Sequence, residues 1–102
     1  MKIVRVTYIA KGEYVETNKA NIGAVMNDLR AQNNAGINYN TCICADGQTF
    51  VHTAFFNSEE DQKLLNDLPS FKKFQEELKA AGLQSPPQQE LLTLVASSKN
   101  IF

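Results

Sequence analysis

The chain has no tryptophan, one histidine, two cysteines and three prolines among its 102 residues. It also lacks any unbroken apolar run near the roughly 20 residues that a membrane-crossing helix requires. Basic and acidic side chains nearly cancel, ten against eleven, and neither sign is concentrated in a run. That balance gives no electrostatic footprint for nucleic acid or for an anionic membrane surface. Five glycines are scattered singly, so no glycine-rich loop exists to cradle a phosphate. At the N-terminus, Arg5 interrupts the apolar stretch that a secretory signal would need. The expectation is a soluble cytoplasmic protein.

With so few cysteines and histidines, metal chemistry has little to work with. Cys42 and Cys44 lie two apart in an apparent strand. That spacing separates their α-carbons by roughly 6.5–7 Å, with parallel side chains, which is poor geometry for a disulfide. A zinc site built on Cys42, Cys44 and His52 has no fourth ligand and none of the familiar ligand spacings. Buried reduced thiols are the simpler expectation, and no metal or cofactor is expected.

The apolar pattern divides one domain, residues 1–102, into six elements. KIVRVTYIA is rich in β-branched residues and predicts a strand. From Glu13 the period changes, and Val15, Ile22, Val25, Met26 and Leu29 follow at helical spacing. Asn18 is read with Glu16 and Lys19 as lying largely outside that stripe, and Gly36 as the left-handed stop. INYNTCIC and QTFVHTAFF flank Asp46-Gly47, a strong hairpin signal. Ser58 with Asp61 three residues on can cap the next helix, which Pro69 should break at Leu68 and restart. Leu64, Leu65, Leu68, Phe71, Phe74 and Leu78 form its buried stripe, and Gly82 ends it. LQSPPQQ reads as a connector, and ELLTLVASS as the last strand. The order β-α-β-β-α-β predicts an α+β, ferredoxin-like sandwich: a four-stranded antiparallel sheet with the helices on one face. Both phases of the strands carry apolar residues, so the face opposite the helices needs cover. A second copy of the same sheet is the expected cover.

The stretch DGQTFVHTAFFNSEEDQKLLNDLPSFKKFQEEL, preceded by AGINYNT and followed by LLTLVASS, resembles the antibiotic biosynthesis monooxygenase-like superfamily of dimeric α/β-barrel proteins. The nearest likeness is to small members without an assigned activity, which carry a similar progression of Asp-Gly, Thr-Phe-Val-His and Leu-Pro-x-Phe-x-x-Phe. The resemblance implies a homodimer whose sheets close a barrel. It also implies a chemistry drawn from cofactor-independent oxygenation of quinols or polyketides, haem degradation or isomerisation. The haem-degrading pattern of asparagine, tryptophan and helical histidine is absent. Phe56 stands where many relatives carry a strand-end tryptophan facing the barrel, and the one histidine lies in a strand.

His52 is thus the candidate catalytic group, a neutral imidazole able to take a phenolic proton. Phase places it with Phe50 and Phe56 inside the dimer barrel, leaving Val51, Thr53 and Phe55 for the helix layer. Phe50 and Phe56 would then pack an aromatic substrate, and Arg5 or Tyr39 would steady a developing phenolate if either shares that face. The competing reading is a core histidine bonded to a carbonyl, to Asn40 or to Thr41, and burial of His52 under the helices would end the catalytic reading. Two hairpin registers are open, one placing Thr41 opposite His52 and the other placing Asn40 there. The two functional readings are a small oxygenase acting on an aromatic or quinol-like molecule, and a non-catalytic dimeric binding or structural protein.

Overall fold

A computed structural model describes all 102 residues. The elements are β1 (Lys2–Ala10), α1 (Val15–Gln32), β2 (Ile37–Ile43), β3 (Thr49–Phe56), α2 (Glu59–Asp67), α3 (Pro69–Ala81) and β4 (Leu83–Leu92). One four-stranded sheet has the order β2-β3-β1-β4, with every neighbouring pair antiparallel. Each helical crossover therefore skips one strand, which is the ferredoxin-like arrangement. The sheet of the single chain is open, not a closed barrel. No helix is long and apolar enough to cross a membrane.

Local chemistry accounts for most of the boundaries. Asp46 ties the β2–β3 turn, its Oδ1 accepting from the backbone N–H of Gln48 and Thr49, while Gly47 takes the positive φ of 73°. This turn sets the register that puts Thr41 opposite His52. Ser58 and Asp61 form the expected capping box at the start of α2. Leu68 is extended, and Pro69 begins α3, where a missing N–H costs nothing. The end of α1 differs from expectation. Asn33, not Gly36, adopts the left-handed conformation, since asparagine tolerates it better than most side chains. Gly36 serves another purpose: a Cβ there would collide with the Asp61 carboxylate.

The last strand also begins earlier than expected. β4 starts immediately after Gly82 and includes Pro86 and Pro87, whereas residues 93–98 are not strand. β4 is an edge strand bonded only to β1, so prolines without an N–H can be accommodated. They fall at an irregularity: Thr7 pairs with Gln88 and Ile9 with Ser85, leaving Pro86 and Pro87 as the extra length opposite Tyr8. This bulge lies beside the candidate site.

Burial fixes which strand phase faces the helices. On β3, Phe50, His52, Ala54 and Phe56 are buried and alternate with half-buried Val51, Thr53 and Phe55. This reverses the expected phase. The buried set joins Val4, Tyr8 and Ala10 of β1 with Ile22 and Val25 of α1 and Phe71, Phe74 and Leu78 of α3. Strand pattern alone left the choice open because both phases are apolar or aromatic. The helix layer selects the set whose bulky rings interleave with small Ala10 and Ala54. The opposite face carries Arg5, Thr7, Ile9, Val51, Phe55 and Cys42. Cys42 and Cys44 are free and exposed, contrary to the expectation of buried thiols: Cys42 is on edge strand β2, whose even-numbered side chains leave the core, and Cys44 lies beyond its end at the turn.

Phe74 is 5% exposed, and its ring packs on both Phe71 and His52. Phe74→Ala is expected to cost about 3–5 kcal/mol. Urea denaturation of the purified variant checks this, and a loss below about 1 kcal/mol would show that the site collapses around the missing ring.

Candidate functional site

Three strands and one helix bring together a buried polar cluster inside an otherwise apolar layer. Val6 of β1 and Thr41 of β2 flank His52 in register, so Tyr8 and Tyr39 reach it diagonally on the same face. Tyr8 Oη lies 2.8 Å from His52 Nε2, and Asn18 of α1 donates its amide to the same Oη at 2.9 Å. On the other side of the ring, Nδ1 lies 2.8 Å from Tyr39 Oη and 3.0 Å from Thr41 Oγ1. The Asn18 donation directs the Tyr8 proton toward Nε2. A neutral imidazole has one acceptor nitrogen and one donor, so Nδ1 carries the ring proton and gives it to the Tyr39 and Thr41 oxygens. The Tyr39 proton is then free to point elsewhere.

Aromatic rings hold the imidazole in place. The Tyr8 ring is stacked on it at 5.3 Å between centroids, and Phe74 and Tyr39 sit at 5.5 and 5.8 Å. Burial pushes the His52 pKa down from 6.5 to about 4, since the charged form loses its water. Desolvation likewise pushes Tyr8 up to about 12 and raises Tyr39. All three groups are neutral near pH 7. Asn18 is completely buried, and its Oδ1 has no protein partner.

The helix layer leaves a gap against this cluster. A cavity of about 660 Å³ lies between the sheet and α3, within the range of about 300–1,000 Å³ usual for small-molecule sites. Tyr8, Tyr39 and His52 line it, together with Phe71, Phe74 and Leu78. Its remaining wall comes from the start of β4, including the Pro86-Pro87 bulge.

The expected site residues separate into three groups. His52 and Tyr39 are together at the cavity. Phe50 and Phe56 are core residues that do not line it, and Phe50 supports the site from behind by stacking on Tyr8 at 5.6 Å. Arg5 points to the opposite sheet face, where it pairs with Glu90 at 2.7 Å. Arg5 pairs with Thr53 in the β1–β3 register, so it lies on the face opposite His52 whichever face the helices cover, whereas Phe50 and Phe56 share the face of His52 and are taken up by the core. His52 is under the helices and not in the dimer barrel, the placement expected to end a catalytic role there; the cavity that reaches it lies instead between the sheet and α3. Two members were missed altogether. Tyr8 shares its phase with Val4 and Val6, and Asn18 occupies the buried stripe of α1 with Val15, Ile22 and Val25. The 3-4-3 spacing of those four residues was the available signal, a polar side chain inside an apolar stripe. No three His, Cys, Asp or Glu side chains are grouped to hold a metal ion, and Cys42 lies on the sheet face opposite His52.

No family model matches the chain, and no curated protein sequence does. Solved structures match it over nearly its full length. The crystal structure of an antibiotic biosynthesis monooxygenase matches with a TM-score of 0.76 at 12% identity, covering 94% of this chain and 100% of that one. Rv0793 from Mycobacterium tuberculosis gives a TM-score of 0.77 at 16% identity, covering 96% and 98%. PA3566 from Pseudomonas aeruginosa gives 0.74 at 18% identity, covering 93% and 94%. The chain therefore has the fold of the antibiotic biosynthesis monooxygenase-like structures, as the sequence resemblance implied. At these identities the likeness speaks for the fold, and the chemistry has to be argued from the site.

The depressed pKa of His52 has a measurable consequence. Unfolded, the ring binds a proton below about 6.5, whereas folded it resists until about 4. Its contribution is therefore complete above pH 6.5 and lost as pH falls toward 4, by an amount on the order of 3 kcal/mol. Denaturation of the wild type and His52→Gln across this window is expected to show a steeper fall for the wild type. Parallel curves would mean that the ring titrates normally.

Proposed function

We propose that the protein is a cofactor-independent monooxygenase acting on a small activated phenol or quinol bound between the sheet and α3. The observation that carries this reading is the neutral His52 imidazole, held between two tyrosine hydroxyls on the wall of an apolar cavity. The substrate hydroxyl gives its proton to Tyr8 Oη as the Tyr8 proton passes to Nε2. The imidazolium that results keeps both N–H groups directed at hydroxyl oxygens, which lowers its cost in a dry site. The phenolate then reduces dioxygen by one electron, and radical and superoxide combine at a ring carbon. The peroxide loses water, so a ring C–H becomes C=O while the second oxygen leaves as water with the two hydrogens. One of those hydrogens comes from the ring carbon and the other is the phenolic proton, returned by His52. The rings of Phe71, Phe74 and Tyr8 supply the packing surface for an aromatic ligand.

Energetics restrict the substrate. An ordinary phenol titrates near 10, about six units above His52, so the proton transfer is uphill by about 8 kcal/mol before any stabilisation of the ion pair. A phenol acidified by a conjugated carbonyl narrows this gap. Oxygen uptake with naphthoquinol and acyl-naphthol substrates tests the reading. His52→Gln is expected to reduce turnover at least about 100-fold, because glutamine keeps a hydrogen-bonding group and cannot take the proton. The second reading, a non-catalytic binding protein, is favoured by the fact that both ring nitrogens are already bonded within the chain. On that reading His52→Gln lowers the unfolding temperature and no quinol is consumed by either protein.

The open sheet face, we further propose, packs against a second copy of the chain. Val51, Phe55 and Ile9 lie there only half-buried, with exposed Leu92 at its edge, an apolar set that a face-to-face sheet pairing covers. Sedimentation velocity at micromolar concentration is expected to give a dimer mass, and Val51→Lys with Phe55→Glu a monomer. A monomeric wild type contradicts the pairing.

A further inference from the structure

The two tyrosines that line the cavity meet the same imidazole, yet they offer a ligand opposite halves of a hydrogen bond. Tyr8 Oη gives its one proton to His52 Nε2 and accepts the Asn18 amide, so all it has left is a lone pair. Tyr39 Oη is in the reverse position. It accepts the Nδ1 proton at 2.8 Å, and Thr41, which shares that proton at 3.0 Å, also donates its hydroxyl to Tyr39. With both acceptor positions engaged, the Tyr39 proton is the one unused donor of the cluster. The ring between the two tyrosines sets their separation. Two oxygens 2.8 Å out along the diverging nitrogen axes of one imidazole stand roughly 7 Å apart. That is close to the span of a benzene ring carrying a hydroxyl at one end and a carbonyl substituent at the other.

We propose that the ligand is a 4-hydroxyaryl carbonyl compound, its hydroxyl on Tyr8 and its carbonyl oxygen on Tyr39, and that Tyr39 determines this specificity. The proposal rests on the phenol-binding reading above and names its substrate class. When the ligand proton passes to Tyr8 and the Tyr8 proton to Nε2, an electron pair is left on the ligand oxygen. It spreads through the ring to the para carbonyl oxygen, so negative charge develops where Tyr39 donates. The same step turns His52 into an imidazolium, whose Nδ1–H donates more strongly to Tyr39 Oη. That polarisation makes the Tyr39 O–H a stronger donor in turn. Tyr39 thus holds the ionised ligand better than the neutral one, which lowers the barrier and not merely KM. A meta carbonyl lies outside the conjugation and off the line between the two hydroxyls. An alkyl substituent in its place leaves the Tyr39 proton without a partner.

Calorimetric titration of the wild-type protein with 4-hydroxyacetophenone, 3-hydroxyacetophenone and 4-ethylphenol separates these contributions. The first is expected to bind about tenfold tighter than either of the others. Tyr39→Phe is expected to bring the three within about twofold of one another, with unfolding temperatures confirming that the variant is folded. A second readout is independent of affinity. The carbonyl stretch of bound 4-hydroxyacetophenone, isotope-labelled at that carbon, is expected at lower frequency in the wild type than in an apolar solvent, and to move back toward the solvent value in Tyr39→Phe. The comparison with solvent holds even where the variant does not fold. Equal affinities or an unshifted carbonyl in the wild type, or a preference that survives Tyr39→Phe, overturns the proposal. The oxygenase reading then stands if a naphthoquinol or acyl-naphthol consumes oxygen. Failure of all three compounds to bind overturns the proposal, and the absence of oxygen uptake beside it overturns both. A Tyr39-dependent preference and carbonyl shift with no oxygen uptake supports the ligand class and overturns only the oxygenase.

Discussion

The site depends on one constraint: an imidazole has been taken out of water without a charge to compensate it. His52 is 5% exposed and has no carboxylate among its partners, only the hydroxyls of Tyr8, Tyr39 and Thr41. Such a ring stays neutral, and every partner must be able to give or accept a single proton in a consistent direction. Asn18 sets that direction by donating to Tyr8. The cluster thereby links the two central strands, one edge strand and α1 through polar contacts in a layer that is otherwise hydrocarbon and aromatic. A carboxylate at any of these positions would favour the imidazolium and remove the base.

The cavity beside the cluster follows from two interruptions of regular structure. Pro69 ends α2 and restarts the chain as α3, which turns Phe71, Phe74 and Leu78 toward the sheet. Pro86 and Pro87 then force extra length into β4 where it passes Tyr8. The edge strand cannot lie flat against β1 at that point, and the space between it and α3 becomes the mouth. Because Gly82 leads directly from α3 into β4, the rim is short and its polar groups are close together in sequence, from Gln75 to Gln89. Binding surface and reactive floor therefore come from different parts of the chain. The rim belongs to α3 and β4, and the floor to β1, β2 and β3.

Much of the architecture was legible in the residues. The Asp46-Gly47 turn, the Ser58–Asp61 capping box and the break before Pro69 are local devices whose partners lie within a few positions, and all three are present. The misreadings involve residues whose partners are distant. Pro86 and Pro87 exclude a central strand and so make LQSPPQQ look like a connector, yet β4 is at the sheet edge, where they are accommodated. Gly36 was read as a helix stop, whereas its lack of a side chain makes room for Asp61 of α2. Asn18 was assigned to the solvent side of α1 because it is polar, and only Tyr8 across the layer gives it a reason to be buried.

The sequence by itself determined the order of elements, the two helix starts, the hairpin and the choice of His52 as the group to explain. Each of these depends on backbone preferences and periodicities that act over one or two turns. Tertiary structure alone decided which face of β3 the helices cover. Alternation has period two, and shifting the covered phase by one exchanges Phe50, His52 and Phe56 for Val51, Thr53 and Phe55, both sets apolar enough to be buried. That one choice put His52 under the helices and buried Phe50 and Phe56 in the core. It was settled by volume, since only one phase interleaves large rings with Ala10 and Ala54 beneath α1 and α3, and volume is a property of packed layers.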